Sequence, residues 1–285
     1  MKTNWINLIT TLCLIFGVQP LWAQSAGYRI IQTSSGDEIS YEKMIYLLSK
    51  SDIVVMGEEH NDAIAHAAEL DVLQGMYRAS GGRMSLSMEM WERDVQGVMD
   101  EYLWGYISEK NFKKESRAWG NYDDYKPLID FAREVQVPVV CANTPARYTN
   151  MVTRGTLQSI TKLPKATRRK YLPALPVDTL KGRYYEKFLE AMGGHTTPGF
   201  HLYQSQNLWD ATMAHSILEA MGTDPFQKVL HINGRFHSDE YLGVVARLKS
   251  HRTPAYKVST ISCIQVAEYI PSEHAGLADF VILTQ

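Results

Sequence analysis

Two histidines in this chain stand three residues after a glycine, in Gly57-Glu58-Glu59-His60 and in Gly234-Arg235-Phe236-His237. Each unit follows an apolar run, Ile53-Val54-Val55-Met56 in the first case and Val229-Leu230-His231-Ile232 in the second. Between them Glu89 closes Arg83-Met84-Ser85-Leu86-Ser87-Met88, and Asn143 follows Val137-Pro138-Val139-Val140-Cys141-Ala142. Two imidazoles among several carboxylates can hold a metal, activate water or pass protons. The residues that would do so are Glu58, Glu59, His60, Glu89, Arg235 and His237, with His60, Glu89 and His237 as the metal-ligand set. Glycine permits a tight exit from a strand, and the histidine three residues on is expected to enter the following helix. Glu58 and Glu59 taken alone could be anions favoured at a helix N-terminus. That does not explain two Gly-x-x-His units in equivalent places. His66, His215, His251 and His274 read as surface or packing residues.

These groups need a scaffold that brings them together. The apolar runs are short and rich in β-branched residues, and most are bounded by turn signals, which reads as buried strands. Leu70, Leu73, Met76 and Tyr77 recur at helical spacing after the first run, and Val95, Val98, Met99, Tyr102 and Leu103 after the second. Tyr28 to Ile31 and Glu38-Ile39 suggest a short hairpin or edge ribbon, and Ser40 a helix cap. Val258 to Ile264 and Phe280 to Leu283 add two further strands. Alternating strands and helices predict an α/β fold with a mainly parallel central sheet flanked by helices. In such a sheet the carboxyl ends of the strands share one edge, and that edge is where ligands bind.

Two stretches depart from the alternation. Tyr102 to Tyr125 is dense in aromatics, including Trp104, Tyr106, Phe112, Trp119 and Tyr122, which would fill a core or wall a flat apolar ligand. Residues 145–222 carry helical patterns broken by Pro164, Pro173, Pro176 and Gly193-Gly194, with no buried strand, and read as a helical cap insertion. The Gly193 to Gly199 loop within it is suited to mobility.

The chain has 285 residues, with 45% hydrophobic and 21% charged content, ordinary values for one large globular domain. Residues 1–23 stand apart: Lys2, an apolar core from Leu8 to Val18, then Leu21-Trp22-Ala23 form a secretory signal. The expectation is export, to the periplasm, of a single domain over residues 24–285. Cys13 has too little apolar chain before it for a lipidation site, so no lipid anchor is expected. The formal charge of −2 excludes the basic surplus that nucleic acid or an anionic membrane would call for. Cys141 and Cys263 either pair in an oxidising compartment or stay as buried free thiols.

A family resemblance joins these segments. Gly57 to His60, Ser87-Met88-Glu89-Met90, Cys141-Ala142-Asn143-Thr144-Pro145, Gln206-Asn207-Leu208-Trp209-Asp210-Ala211-Thr212-Met213-Ala214 and Gly234 to His237 resemble the ChaN-like haem-binding uptake proteins. These sit in a superfamily with Tiki proteases, TraB proteins and erythromycin esterases. The resemblance spans residues 45–265 or so, and the segment from Gln206 to Ala214 points to the ChaN branch.

It implies an α/β core with a helical cap, a site containing His60, Glu89 and His237, and haem binding during iron acquisition, with a dimer enclosing paired haems. An outer-membrane haem uptake machinery would be the further partner. In hydrolytic relatives the matching positions bind metal or activate water, so a metal-dependent esterase or peptidase using a His/Glu/His site is the alternative. The matched segments do not carry the iron ligand. A tyrosine or histidine of the cap is the physical expectation, with Tyr184, Tyr185, His195, His201 and Tyr203 as candidates.

Overall fold

The computed structural model describes residues 27–195, 199–251 and 253–285. The proposed leader over residues 1–23 lies outside them, as does the centre of the loop after Gly194. The chain begins with β1 (Arg29–Gln32), β2 (Asp37–Ile39) and α1 (Tyr41–Leu48). Ser40 caps α1 by accepting the Lys43 amide. Then come β3 (Ile53–Glu58), α2 (Ala63–Ser80), β4 (Met84–Glu92), α3 (Gln96–Leu103), α4 (Glu109–Glu115), α5 (Tyr122–Glu134) and β5 (Val139–Asn143). Four helices follow, α6 (Ala146–Gly155), α7 (Lys165–Tyr171), α8 (Arg183–Ala191) and α9 (Leu202–Met221). The chain closes with β6 (Lys228–Gly234), α10 (Gly243–Ser250), β7 (Val258–Ile264), α11 (Pro271–His274) and β8 (Phe280–Leu283).

All eight strands form one sheet in the order β2-β1-β8-β7-β3-β6-β4-β5. The six from β8 to β5 are parallel, and β1 pairs antiparallel with both β8 and β2. The sheet is therefore mixed, mostly parallel, with the antiparallel hairpin at one edge. Every residue of β3 is buried, and alternation decides against what. Val54 and Met56 join Met88 and Ile232 in a core with α1 to α5. Ile53 and Val55 pack with Met213 and Ile217 of α9 and Val244 of α10 on the other face.

The cap expectation divides. Residues 145–222 contain no strand among the described residues. However, α9 lies flat on the sheet with Met213, Ala214, Ile217 and Met221 in its core, so it is part of the flanking layer. The aromatic run divides too. Tyr102, Phe112, Tyr122 and Tyr125 are fully buried core, whereas Trp104 and Tyr106 stand in solvent. Cys141 and Cys263 are buried free thiols on β5 and β7, with three strands between them in the sheet, so the pairing alternative falls away.

Candidate functional site

Topology opens the edge at two places, between β7 and β3 and between β6 and β4, and the second holds the site. The connection after β4 runs outward to β5, whereas that after β6 runs back across β3 to β7. The two diverge, leaving a crevice at the carboxyl ends of β4 and β6, the geometry of a switch point. Glu89, on β4, sits there, one of its oxygens accepting the Gly234 amide of β6 at 2.8 Å.

The two Gly-x-x-His units meet at this edge because each glycine leaves room for the other unit. A Cβ on Gly234 would stand 2.7 Å from His60 Nε2, and one on Gly57 would stand 2.9 Å from Arg235 Cα. Neither glycine has a left-handed φ. Close approach, rather than the turn conformation expected from the sequence, is what requires them. Nor does either histidine enter an α-helix. Asp62 is the better cap, its carboxylate accepting the Ile64 and Ala65 amides, so α2 starts beyond His60. His237 ends a short 3-10 turn, Arg235–His237.

His237 is held on both sides. Its Nδ1 lies 2.6 Å from Asp210 of α9, and its Nε2 lies 3.3 Å from Glu89. Burial opposes its charge, but the Glu89 and Asp210 carboxylates prevail and hold the imidazolium well above the ordinary histidine range. Glu89 responds in kind: burial opposes ionisation, but His237, His60 and the Gly234 amide keep it ionised. Tyr184 of α8 donates to the other Asp210 oxygen, and Gln206 donates to the Tyr184 hydroxyl. With both ring nitrogens engaged by carboxylates, His237 has no free lone pair for a metal. Among the described residues, His60, Glu89 and His237 do not gather into a three-ligand cluster.

His60 faces a second set. Its Nδ1 lies 2.7 Å from Glu58 Oε1, which also accepts from Tyr125 at 2.8 Å, and its ring meets Trp119 edge-on. Burial lowers its affinity for a proton; the bond to Glu58 and the charge of Glu89 more than compensate and raise it. The other Glu58 oxygen lies 3.2 Å from His66 of α2, which in turn reaches Glu69 at 3.4 Å. His66 is therefore neither a surface nor an ordinary packing residue. Arg235 bridges Glu59 and Asp239, at 3.1 and 2.8 Å.

The sequence reading missed Asp210, Tyr125, His66 and Glu69. Asp210 and Gln206 lay within the segment resembling the ChaN branch, though without a role. His66 and Glu69, spaced i and i+3 on the face of α2 that meets Glu58, were the available signal.

A cavity of about 450 Å³ opens over this edge. Arg183, Lys187 and Glu190, one stripe of α8, line its far side, opposite His60 and His237. The neighbouring stripe of α8, Tyr185, Phe188 and Met192, faces a separate hollow of about 290 Å³, completed by Phe200, His201 and Tyr203. The five proposed iron ligands part here. Tyr184 is fully buried and bound to Asp210, and the Tyr203 hydroxyl donates to the Leu180 carbonyl. Tyr185, 40% exposed, and His201 line the hollow, and His195 is exposed beside it in sequence.

The fold is similar to that of ChaN of Campylobacter jejuni, whose structure is described as showing cofacial heme binding. The TM-score is 0.69 at 15% identity, covering 91% of this chain and 98% of that one. The type III effector HopBA1 matches at a TM-score of 0.45 and 13% identity, over 79% of this chain and 83% of its own. No curated protein matches. The family model for haem-binding uptake proteins, Tiki superfamily, ChaN, matches residues 44–248, and the chain belongs to that family.

Proposed function

We propose that this protein binds haem in the hollow between α8 and the start of α9 and serves in haem and iron acquisition. The observation that carries the reading is the lining. Tyr185, Met192 and Phe200, 38–51% exposed, gather around a single recess beside His201. Exposed apolar side chains in one patch mark a binding surface, and aromatic and thioether groups suit a porphyrin face. Tyr185 and His201 supply an oxygen and a nitrogen able to hold iron. Bound haem would bring an iron centre that Tyr185 or His201 would hold. A hollow of about 290 Å³ is too small to enclose both porphyrin faces, so a second protomer covering the other face, with two haems between them, belongs to the same reading. So do export to the periplasm and passage of haem from outer-membrane machinery, with α8 covering the edge cavity as the working part of the cap.

The test is titration of the purified protein with haemin. A Soret shift and a rise in mass to the dimer should appear together, and Tyr185→Phe or His201→Ala should abolish the shift. His60→Ala should leave it. Cell fractionation checks export. If haemin binds no better than to an unrelated exported protein, the reading is wrong. The alternative, a metal-dependent esterase or peptidase at His60, Glu89 and His237, is weakened by the capture of both His237 nitrogens. Activity that needs a metal and vanishes with His60→Ala, without haem binding, would restore it.

A further inference from the structure

Beneath the edge cavity lies a second cluster that haem binding does not use. Glu58, His66 and Glu69 are 1%, 7% and 0% exposed, and each brings an atom within 4.8 Å of the others. Among the described residues Glu69 Oε1 and His66 Nε2 are buried without a hydrogen-bond partner, and Glu58 Oε2 meets only the His66 imidazole, outside hydrogen-bond geometry. One imidazole shared between two buried carboxylates replaces only part of the water they gave up, which is costly. His66 Nδ1 stands 3.2 Å from a Glu58 oxygen and 3.4 Å from a Glu69 oxygen. Metal bonds of about 2.0–2.2 Å at tetrahedral angles place neighbouring donors roughly 3.4 Å apart. The two separations at His66 Nδ1 suit a direct ion pair and equally suit neighbouring ligands of one ion, and all three residues bring a ligand atom within 4.8 Å of the others.

We propose that Glu58, His66 and Glu69 form a site for one divalent first-row cation, with zinc or manganese as the class that two carboxylates and an imidazole suit. Two carboxylates and a neutral imidazole carry the charge that such an ion cancels. The donors come from two elements. Glu58 ends β3, whereas His66 and Glu69 share one face of α2, so the ion would tie the strand end to the helix behind it. Glu58 also lines the edge cavity, which gives the ion a way in. Its other oxygen holds His60 and Tyr125, so the ion would act as a support that fixes His60 from below.

The experiment uses the full chain. Elemental analysis of protein purified without chelator, and titration of chelator-treated protein with Co²⁺, should each give about one ion per chain, with the cobalt bands of N/O coordination. Zn²⁺ should raise the melting temperature of the stripped protein. His66→Gln and Glu69→Gln should bind Co²⁺ at least tenfold more weakly, since loss of even an outer-shell partner of a ligand costs about 10–100-fold. Haemin titration of the same variants is the separate readout, and the Soret shift should persist in them. The first two measurements do not depend on any variant folding. The proposal is overturned if the wild-type protein takes up no ion in either. It is also overturned if Co²⁺ binding survives Glu69→Gln but is lost in Glu89→Gln, which would put the ion at the edge. A Glu69→Gln protein more stable than wild type and indifferent to Zn²⁺ would mean that a shared proton holds the cluster.

Discussion

Two carboxylate–imidazole sets lie side by side at this edge and differ in one respect. In the Asp210–His237–Glu89 set, the chain itself satisfies most of the polar atoms: two carboxylates for the imidazole, the Gly234 amide for Glu89, the Tyr184 hydroxyl for Asp210. In the Glu58–His66–Glu69 set, Glu69 Oε1 and His66 Nε2 are left without a partner among the described residues, and Glu58 Oε2 has only a loose contact with His66. A satisfied buried network fixes one geometry, whereas an unsatisfied one pays desolvation without return unless something binds. The first set is thus built as framework and the second as a receptor. The hollow on the far stripe of α8 is a third type, apolar and exposed.

Breaking the satisfied set should cost most. Asp210→Ala leaves the His237 imidazolium with one carboxylate in a buried site and the Tyr184 O–H without an acceptor. A loss of about 3–5 kcal/mol is expected, as for removal of one member of a buried pair. Chemical denaturation of the metal-stripped protein would measure it. The matching change in the other set, Glu69→Gln, should cost far less in stripped protein, because burial and the neighbouring Glu58 raise the Glu69 carboxyl well above the usual carboxylate range and favour its neutral form, which the amide resembles. Equal costs would erase the distinction.

A third buried histidine sharpens the comparison through pH. His231 lies on β6 with Ser87, at 2.9 Å, as its one side-chain hydrogen-bond partner among the described residues, and burial pushes it down to about 3. Its folded value is below its unfolded value of about 6.5, so the unfolded chain binds the proton first. Its stability contribution is complete above about pH 6.5 and fades as pH falls toward 3, by about 1.4 kcal/mol per unit. Between pH 6.5 and 5 the loss is about 2 kcal/mol, and it should be absent in His231→Gln. Parallel pH profiles for the two proteins would refute the assignment. The His237 contribution has the opposite sign, since its raised value makes it fade only on the alkaline side.

Next come the glycines that let the two sets stand so close. Gly57→Ala must displace the Arg235 backbone, and Gly234→Ala must displace the His60 ring. Overpacking of this kind costs about 1–3 kcal/mol. The backbone clash should make Gly57→Ala the worse, since a ring can move more readily than a chain. The order of the two melting temperatures checks this.

How far this could be read from sequence follows from the range of each signal. Strands buried on both faces announce themselves as apolar runs, so β3 to β8 were legible, as were the glycines and histidines of the two units. The reason for the glycines was not, because it lies in contacts between residues 174 and 178 positions apart. Glu58 and Glu59 are adjacent and chemically alike, so the sequence gives them equal standing. Only the pleat separates them: Glu58 shares the face of Met56 and enters the core, and Glu59 leaves the strand. Asp210 sits in a helix whose buried face mixes polar and apolar residues, which hides any single charge. Nothing in the residues matched to the family distinguishes Tyr184 from Tyr185, although one turn step buries the first and exposes the second.

That separation of neighbours supplies the smallest effect. Glu59 accepts from Arg235 at 3.1 Å, but the two side chains are 45% and 28% exposed, so water screens the pair. Asp239, 5% exposed, holds the same guanidinium at 2.8 Å and remains when Glu59 is changed. Glu59→Gln keeps an acceptor oxygen and should lower stability by less than about 1 kcal/mol, the range of exposed ion pairs, and less still at high salt. Glu58→Gln is the matched control. It alters a carboxylate with no exposed surface that serves Tyr125 and His60 on one oxygen and His66 on the other. Denaturation of the two variants at low and high salt should therefore separate them widely, with only Glu59→Gln sensitive to salt. Similar losses for both would mean that burial does not distinguish the two glutamates and that the framework reaches further into solvent than the distances indicate.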